Sequence, residues 1–243
     1  MKFKDHFSKQ AADYAKFRPR YPEELFRWLG SIAPGRELAW DCATGSGQAA
    51  VELADIFTRV IATDASEKQI ANAERHQDVE YRVATAENSG LDSASADLII
   101  VAQALHWFDL GKFYAEARRV LKPRGVIAPT AYKLATVSPE IDTVVNRYYS
   151  EIVGSYWPEE RRLVENFEDL PFPFAKIETP TFEMVAEWSV EELLGYLRTW
   201  SATQRFMASE GRDPLAEVET ELRQAWGKLR RVIWPLTVRA GRA

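Results

Sequence analysis

The sequence is poor in the residues that build covalent or metal-bound frameworks. Its single cysteine, Cys42, cannot form an intramolecular disulfide or a multi-thiolate site. Its only imidazoles are His6, His76 and His106, and no carboxylates stand at ligand spacing around them, so no metal is expected. Long hydrophobic runs are missing too. The longest apolar stretch, Leu98-Ile99-Ile100-Val101-Ala102, is far short of the roughly 20 residues a membrane span needs. At the N-terminus, Met1-Lys2-Phe3-Lys4-Asp5-His6 has lysines with no apolar run behind them, so it does not read as a signal peptide. Positive charge is not in excess either. Thirty-one basic against 36 acidic side chains leave a net charge of −5, which offers nothing to neutralise a phosphate backbone. Twelve glycines and twelve prolines are ordinary usage and exclude collagen-like and low-complexity chains. These absences predict a soluble, cytoplasmic protein with neither a nucleic-acid nor a membrane partner.

What is present is a chain of 243 residues, 46% apolar and 28% charged, with a repeated strand–helix rhythm. Residues 8–29 read as helical, with Tyr21-Pro22-Glu23-Glu24 as a start signal and Leu25, Phe26 and Leu29 as the apolar face. Leu38-Ala39-Trp40 runs into a glycine-containing turn, and Gln48 to Phe57 follows as a helix. Val60 to Thr63 is the next strand, and Ser66 with Gln69 opens the next helix as a capping box. Strands over Val79–Val83 and Leu98–Ala102, a helix over Phe113–Leu121 and a Lys122-Pro123-Arg124-Gly125 turn into Val126-Ile127-Ala128 complete the unit. Continuous apolar strands alternating with helices indicate a parallel sheet covered on both faces. Beyond Tyr132 the rhythm breaks. Residues 139–168 and 189–226 read as helical around an extended run at 176–188, and 231–238 reads as a closing strand. No Gly/Ser linker separates the halves, so one domain is expected.

The chemistry concentrates at Asp41-Cys42-Ala43-Thr44-Gly45-Ser46-Gly47 and Asp64. Two glycines delivered from a strand to a helix start let the backbone approach a bulky ligand. Asp64 lies 17 positions after Gly47, close to where an acid at the second strand tip accepts ribose hydroxyls. Tight-turn glycines and a mere helix cap are the plainer reading. As a nucleoside site, Gly45-Ser46-Gly47-Gln48-Ala49-Ala50 also fits a dinucleotide pattern. A carboxylate at Asp41 would repel a pyrophosphate and attract the cationic end of a methionine, which favours S-adenosylmethionine.

The stretch Leu38 to Gly47 resembles motif I of the class I S-adenosylmethionine-dependent methyltransferases, and Asp64 resembles their ribose-binding acid. Ala86-Glu87, Ser95-Ala96-Asp97-Leu98-Ile99 and Arg119-Val120-Leu121-Lys122-Pro123-Arg124-Gly125-Val126 resemble their later motifs. Tyr14-Ala15-Lys16-Phe17-Arg18-Pro19-Arg20-Tyr21-Pro22 and Ala102-Gln103-Ala104-Leu105-His106-Trp107-Phe108-Asp109 narrow the likeness to the type 11 group that includes trans-aconitate methyltransferase-like proteins. The likeness covers residues 8–130; past them it rests on Leu194 to Ser201. It departs from the pattern at Ala43, where the first motif glycine is usual, and at Arg124, where a stiffened surface turn is expected.

The resemblance implies an α/β Rossmann-like fold with a mostly parallel seven-stranded sheet. It divides into cofactor-covering helices over 1–30, a cofactor-binding core over 36–132, a helical or lid elaboration over 133–228 and a closing strand over 229–243. Implied cofactor contacts are Tyr14, Arg18 and Tyr21 from the N-terminal segment, with Arg18 at the methionine carboxylate. The others are Asp41, Gly45, Gly47, Gln48, Asp64, Ala65, Ala86, Glu87, Gln103 and Ala104. His106 and Trp107, delivered by strand four, are the implied catalytic pair, His106 as a base if the acceptor is an amine or hydroxyl. The implied acceptor is a small molecule, a carboxylic acid in the aconitate-like case, with Arg18, Arg20 or Arg198 as counter-charges. An NAD(P)-dependent oxidoreductase and a non-catalytic cofactor-binding scaffold remain as alternatives, and the assembly as a monomer or homodimer. In the second half, Tyr148, Tyr149, Tyr156, Trp157, Trp188, Tyr196 and Trp200 form either a core or a lid, and Glu159-Glu160-Arg161-Arg162 reads as a solvated helix face.

Overall fold

The computed structural model describes residues 17–243. Helix α1, Glu23–Ile32, buries Leu25, Phe26 and Leu29 completely. Each such side chain contributes about 1.5–3 kcal/mol relative to exposure. Of the helix expected over 8–29, the part before residue 17 lies outside the described residues. Within them Phe17 is helical, 18–22 are not, and a helix starts at Glu23, at the expected start signal. The cause is local: Pro19 and Pro22 push the residues before them out of the helical region, and Pro22 is extended at φ −71°, ψ 137°. The segment instead docks by Phe17, whose ring lies so close to Gly195 that a β-carbon there would sit 2.6 Å from it.

Five parallel strands follow: β1 Leu38–Cys42, β2 Arg59–Asp64, β3 Val79–Val83, β4 Ala96–Ala102 and β5 Leu121–Tyr132. Between them run α2 Gln48–Ala54, α3 Glu67–Asn72 and α4 Leu110–Val120. In register, Trp40 stands beside Ile61 on one side and Ile99 on the other, and Ile99 beside Ile127. Alternate strand residues feed two cores. Ala39, Leu98, Ile100 and Val126 pack with Leu25, Leu29 and Leu53 of α1 and α2. Trp40, Ile99, Val101 and Ile127 pack with Phe113, Ala117 and Val120 of α4 on the opposite face. Both faces are therefore covered, which explains the unbroken apolar runs.

The Lys122–Gly125 turn expected from sequence is instead part of β5, where the register with β4 shifts between Ala96 and Leu98. Arg124 there adopts φ +65°, so this position carries left-handed strain rather than a merely stiffened surface turn. The strand entrances are tied by buried Asp97, whose Oδ2 accepts from the Glu37 and Leu38 amides at 3.0 and 3.1 Å and from Lys122 Nζ at 3.0 Å.

The second half supplies α5 Pro139–Arg147, α6 Arg161–Glu165, short strand β6 Ala175–Ile177, β7 Phe182–Trp188, α7 Val190–Arg198, α8 Ser201–Glu210, α9 Glu219–Trp226, β8 Arg230–Val238 and β9 Ala240–Arg242. Sheet order is β3-β2-β1-β4-β5-β8-β7, a seven-strand path, with β8 antiparallel to both neighbours and β9 bridging β5 to β6. The chain order of the parallel strands switches between β1 and β4, and ligands in open α/β sheets bind at the carboxyl ends beside such a switch.

Candidate active site

The carboxyl ends of β1, β2, β4 and β5 border a cavity of ≈ 550 Å³, within the size range of small-ligand sites. Its floor is the loop after β1. Ala43, Gly45 and Gly47 all adopt positive φ, at 60°, 56° and 83°. The two glycines have different reasons to be there. A β-carbon at Gly45 would meet nothing within 4 Å, so its missing side chain leaves cavity space; one at Gly47 would sit 2.7 Å from the Tyr81 hydroxyl. Asp64 at the tip of β2 pins the loop, its Oδ2 accepting from the Gly45 amide at 3.0 Å and its Oδ1 from the Ser66 amide at 2.8 Å. Asp64 also lines the cavity, where a carboxylate can accept from a ligand hydroxyl. Ser66 caps α3, accepting from the Gln69 amide at 3.3 Å, but its own amide donates to Asp64, so only half of the expected capping box forms.

The cavity gathers Arg18, Tyr21, Gly45, Gln48, Asp64, Ala65, Ala86, Glu87, Gln103, Ala104, His106 and Trp107 of the residues singled out from sequence. Tyr14 lies outside the described residues. Gly47 and Asp41 do not line the cavity. Asp41 was expected to face it, but β1 runs on to Cys42 and leaves Asp41 fully buried beneath the loop. There its Oδ2 accepts from the Thr44 hydroxyl at 2.5 Å, and Oδ1 has no hydrogen-bond partner among the described residues. Burial pushes this carboxyl up to about 7, against the smaller opposing effect of the Thr44 bond.

Gln103 lines the cavity but spends its amide on structure. Its Nε2 donates to the Tyr132 carbonyl at 3.1 Å, and its Oε1 accepts from the Tyr132 amide at 2.8 Å. With φ +57°, Gln103 is a strained hinge that clamps the end of β4 to the end of β5. Arg18 closes the wall from the N-terminal segment. Its Nη1 donates to the Tyr132 hydroxyl at 3.0 Å, its Nη2 to the Thr199 carbonyl at 3.4 Å, and its guanidinium lies 5.2 Å from the Tyr196 ring centre. Glu87 Oε1 accepts from the Asp109 amide at 3.0 Å, and Asp109 caps α4 as expected.

A family model described as a methyltransferase domain matches residues 40–128. A protein from Dictyostelium discoideum named as a methyltransferase is 36% identical over 230 residues, 93% of this chain and 88% of that one. A solved structure from Anaeromyxobacter dehalogenans, named as a type II methyltransferase, superposes with a TM-score of 0.87 at 50% identity, covering 93% of this chain and 98% of that one. A protein from Mycolicibacterium smegmatis named as an S-adenosylmethionine-dependent methyltransferase is 30% identical over 133 residues, 54% of this chain and 51% of that one. The chain belongs to the S-adenosylmethionine-dependent methyltransferases. None of these likenesses favours the oxidoreductase alternative.

The cavity of this methyltransferase fits its cofactor on chemical grounds: a carboxylate at a strand tip, open backbone at Gly45, the small side chains of Ala65 and Ala86, and a guanidinium in the facing wall. His106 and Trp107 occupy a single 3-10 turn, Leu105–Trp107, their rings 4.6 Å apart. Burial pulls the His106 imidazole down to about 3, and the Arg161 charge adds to this while Glu160 opposes it. No group of three or more potential metal ligands occurs among the described residues, and no described helix is long and apolar enough to cross a membrane.

The second-half aromatics divide between the core and the cavity wall. Tyr148 and Trp188 are core, whereas Tyr196 and Trp200 are buried yet share their edges with the cavity, as does half-buried Trp157. One expectation is corrected. Arg161 does not stand on a solvated helix face; it lines the methyltransferase cavity because α6 packs against the His106 turn. Sequence reasoning also passed over Tyr132 and Lys133 as lining residues. The rule that ligands meet strand carboxyl ends would have found them, had it been applied to β5 as well as β4.

Proposed function

We propose that the enzyme methylates a carboxylate of a small organic acid. What carries this reading is His106: the one imidazole among the described residues that lines the cavity is held neutral, burial pulling its pKa down to about 3. A primary or secondary amine or a hydroxyl must lose a proton on methylation, and a base this weak removes it poorly at neutral pH. A carboxylate has none to lose. Its oxygen forms the bond to the methyl carbon as the carbon–sulfur bond breaks, the electron pair stays on sulfur, and no proton moves.

The cofactor supplies an activated methyl group, and the protein's part is alignment and exclusion of water. Asp64 and the Gly45 backbone hold the ribose, Ala65 and Gln48 flank it, and Ala86 and Glu87 border the adenine. Arg18 and Tyr21 close over the methionine end, and Gln103 and Ala104 border it from β4. Asp41 acts from beneath the loop rather than by contact: a cationic group above favours its ionised form, so binding is expected to draw a proton off it. His106 and Trp107 form the wall beside the reacting atoms, His106 as a neutral hydrogen-bonding group.

The test is to incubate the protein with S-adenosylmethionine and a panel of small mono-, di- and tricarboxylic acids, with matched alcohols and amines, and to look for methyl esters by mass spectrometry. Ester formation whose kcat is flat from about pH 7.5 to 9 is expected, since the acceptor carboxylates are ionised there. Methylation of amines or alcohols only, with a rate following deprotonation of a base, sinks the reading.

A further inference from the structure

We infer that Arg161 is the specificity-determining residue for the acceptor: its guanidinium clamps an acceptor carboxylate against an aromatic platform beside His106. The inference rests on the carboxylic-acid reading above. Its observations are independent of the cofactor loop.

The guanidinium carbon lies 5.1 Å from the centre of the Trp157 ring and 5.7 Å from that of Tyr149. Arg161 Nε donates to the Tyr149 hydroxyl at 3.1 Å, and that hydroxyl donates onward to Glu165 at 2.5 Å. Trp157 is fixed in turn, its Nε1 donating to the Tyr149 carbonyl at 3.1 Å. The side chain is therefore oriented by one edge and two rings, at a position that lines the cavity. Its Nη groups, in contrast, make no hydrogen bond or ion pair among the described residues. Four other arginines of the second half do meet carboxylates: Arg147 with Glu221, Arg198 with Asp213, Arg212 with Glu217, and Arg223 with Glu191 and Glu219. Lys112, at the same cavity, is held by Asp109 at 2.9 Å.

A pre-oriented planar fork with unused donors is the arrangement that reads a carboxylate bidentately. Glu160 lines the same cavity, so the local charge is mixed and selection depends on the fork's geometry more than on field strength. A carboxylate with both oxygens tied to a guanidinium is a weakened nucleophile. The clamped group is accordingly a second carboxylate of the acceptor, and the one that takes the methyl lies free of Arg161.

The experiment titrates wild type, Arg161→Gln and Arg161→Lys, each saturated with S-adenosylhomocysteine, with tricarballylate, succinate and uncharged succinamide. The same three are also assayed for methyl transfer from S-adenosylmethionine. Removal of the fork is expected to weaken tricarballylate binding about 30-fold in Arg161→Gln and less in Arg161→Lys. The loss should appear in KM more than in kcat, while S-adenosylhomocysteine affinity, Tm and succinamide binding stay at wild-type values. Unchanged tricarballylate binding and methylation in Arg161→Gln would overturn the proposal and leave the carboxylic-acid reading standing. Equal losses for charged and uncharged probes would also overturn it, because Arg161 would then serve only the packing of Tyr149 and Trp157. If wild type binds S-adenosylhomocysteine but neither binds nor methylates any carboxylate probe, the carboxylic-acid reading itself fails and takes this inference with it.

Discussion

The two ends of the cavity are built on different principles. The end proposed to hold the cofactor is local and made largely of backbone: Gly45 and Asp64, which hydrogen-bond, stand 19 positions apart. The opposite end, where the proposed reading puts the methionine and the acceptor, is assembled from side chains brought together over long distances. Arg18 reaches Tyr132 across 114 positions and Thr199 across 181, and Arg161 meets the His106 turn from a separate helix. The difference teaches where each property can vary. A main-chain loop recognises one nucleoside and tolerates little change, whereas a wall of side chains can be rebuilt residue by residue without touching the loop.

The comparison breaks most sharply at Asp64. Asp64→Ala removes two amide acceptors and the acceptor for ligand hydroxyls, so S-adenosylhomocysteine affinity by calorimetry should fall about 100-fold, on charged hydrogen bonds worth about 1.5–3 kcal/mol each. An affinity within threefold of wild type would mean that the loop, not the acid, does the recognising. The join between the two ends comes next. Gln103→Ala deletes both bonds to the Tyr132 backbone, and denaturant titration should register about 1–3 kcal/mol of lost stability, with KM rising for cofactor and acceptor alike.

His106 sharpens the acceptor end through pH. Its folded value of about 3 lies below the ordinary 6.5, so the unfolded chain takes up a proton first as pH falls. Stability from the neutral imidazole is full above about pH 6.5 and drains away toward pH 3. His106→Gln should therefore shrink the loss of Tm between about pH 7 and 4 by several degrees, while kcat for a carboxylate acceptor changes less than about fivefold. A hundredfold fall in kcat would restore the general-base role. The smallest effect belongs to the loop itself. Ala43 sits at φ +60°, and Ala43→Gly should stabilise the protein by about 0.5–1 kcal/mol in thermal melts by relieving left-handed strain.

How far the sequence could be read follows the same division. The glycine loop, the acid at the tip of β2, the Ser66 cap and the strand rhythm are local signals, and each stands where periodicity and capping chemistry put it. Asp41 was misread by a single step, because a five-residue strand and a four-residue one with a longer turn look alike in sequence and differ only in which way the carboxyl faces. The helix expected to continue through Arg18 fails for a reason visible in the sequence, the two prolines at 19 and 22. Arg161 had no such signal. Glu159-Glu160-Arg161-Arg162 is what a solvated helix face looks like, and only the packing of α6 on the His106 turn gives Arg161 its place.

The order of strands across the sheet bears on how the chain is made. β8 follows β7 in sequence yet lies between β5 and β7, pairing with both. While a ribosome is still adding residues 189–229, β5 presents an open edge and β7 has no sheet to join. Exposed edges of this kind invite pairing with other chains. The nascent first half must therefore wait with an unprotected flank until residues 230–238 emerge and pair with β5.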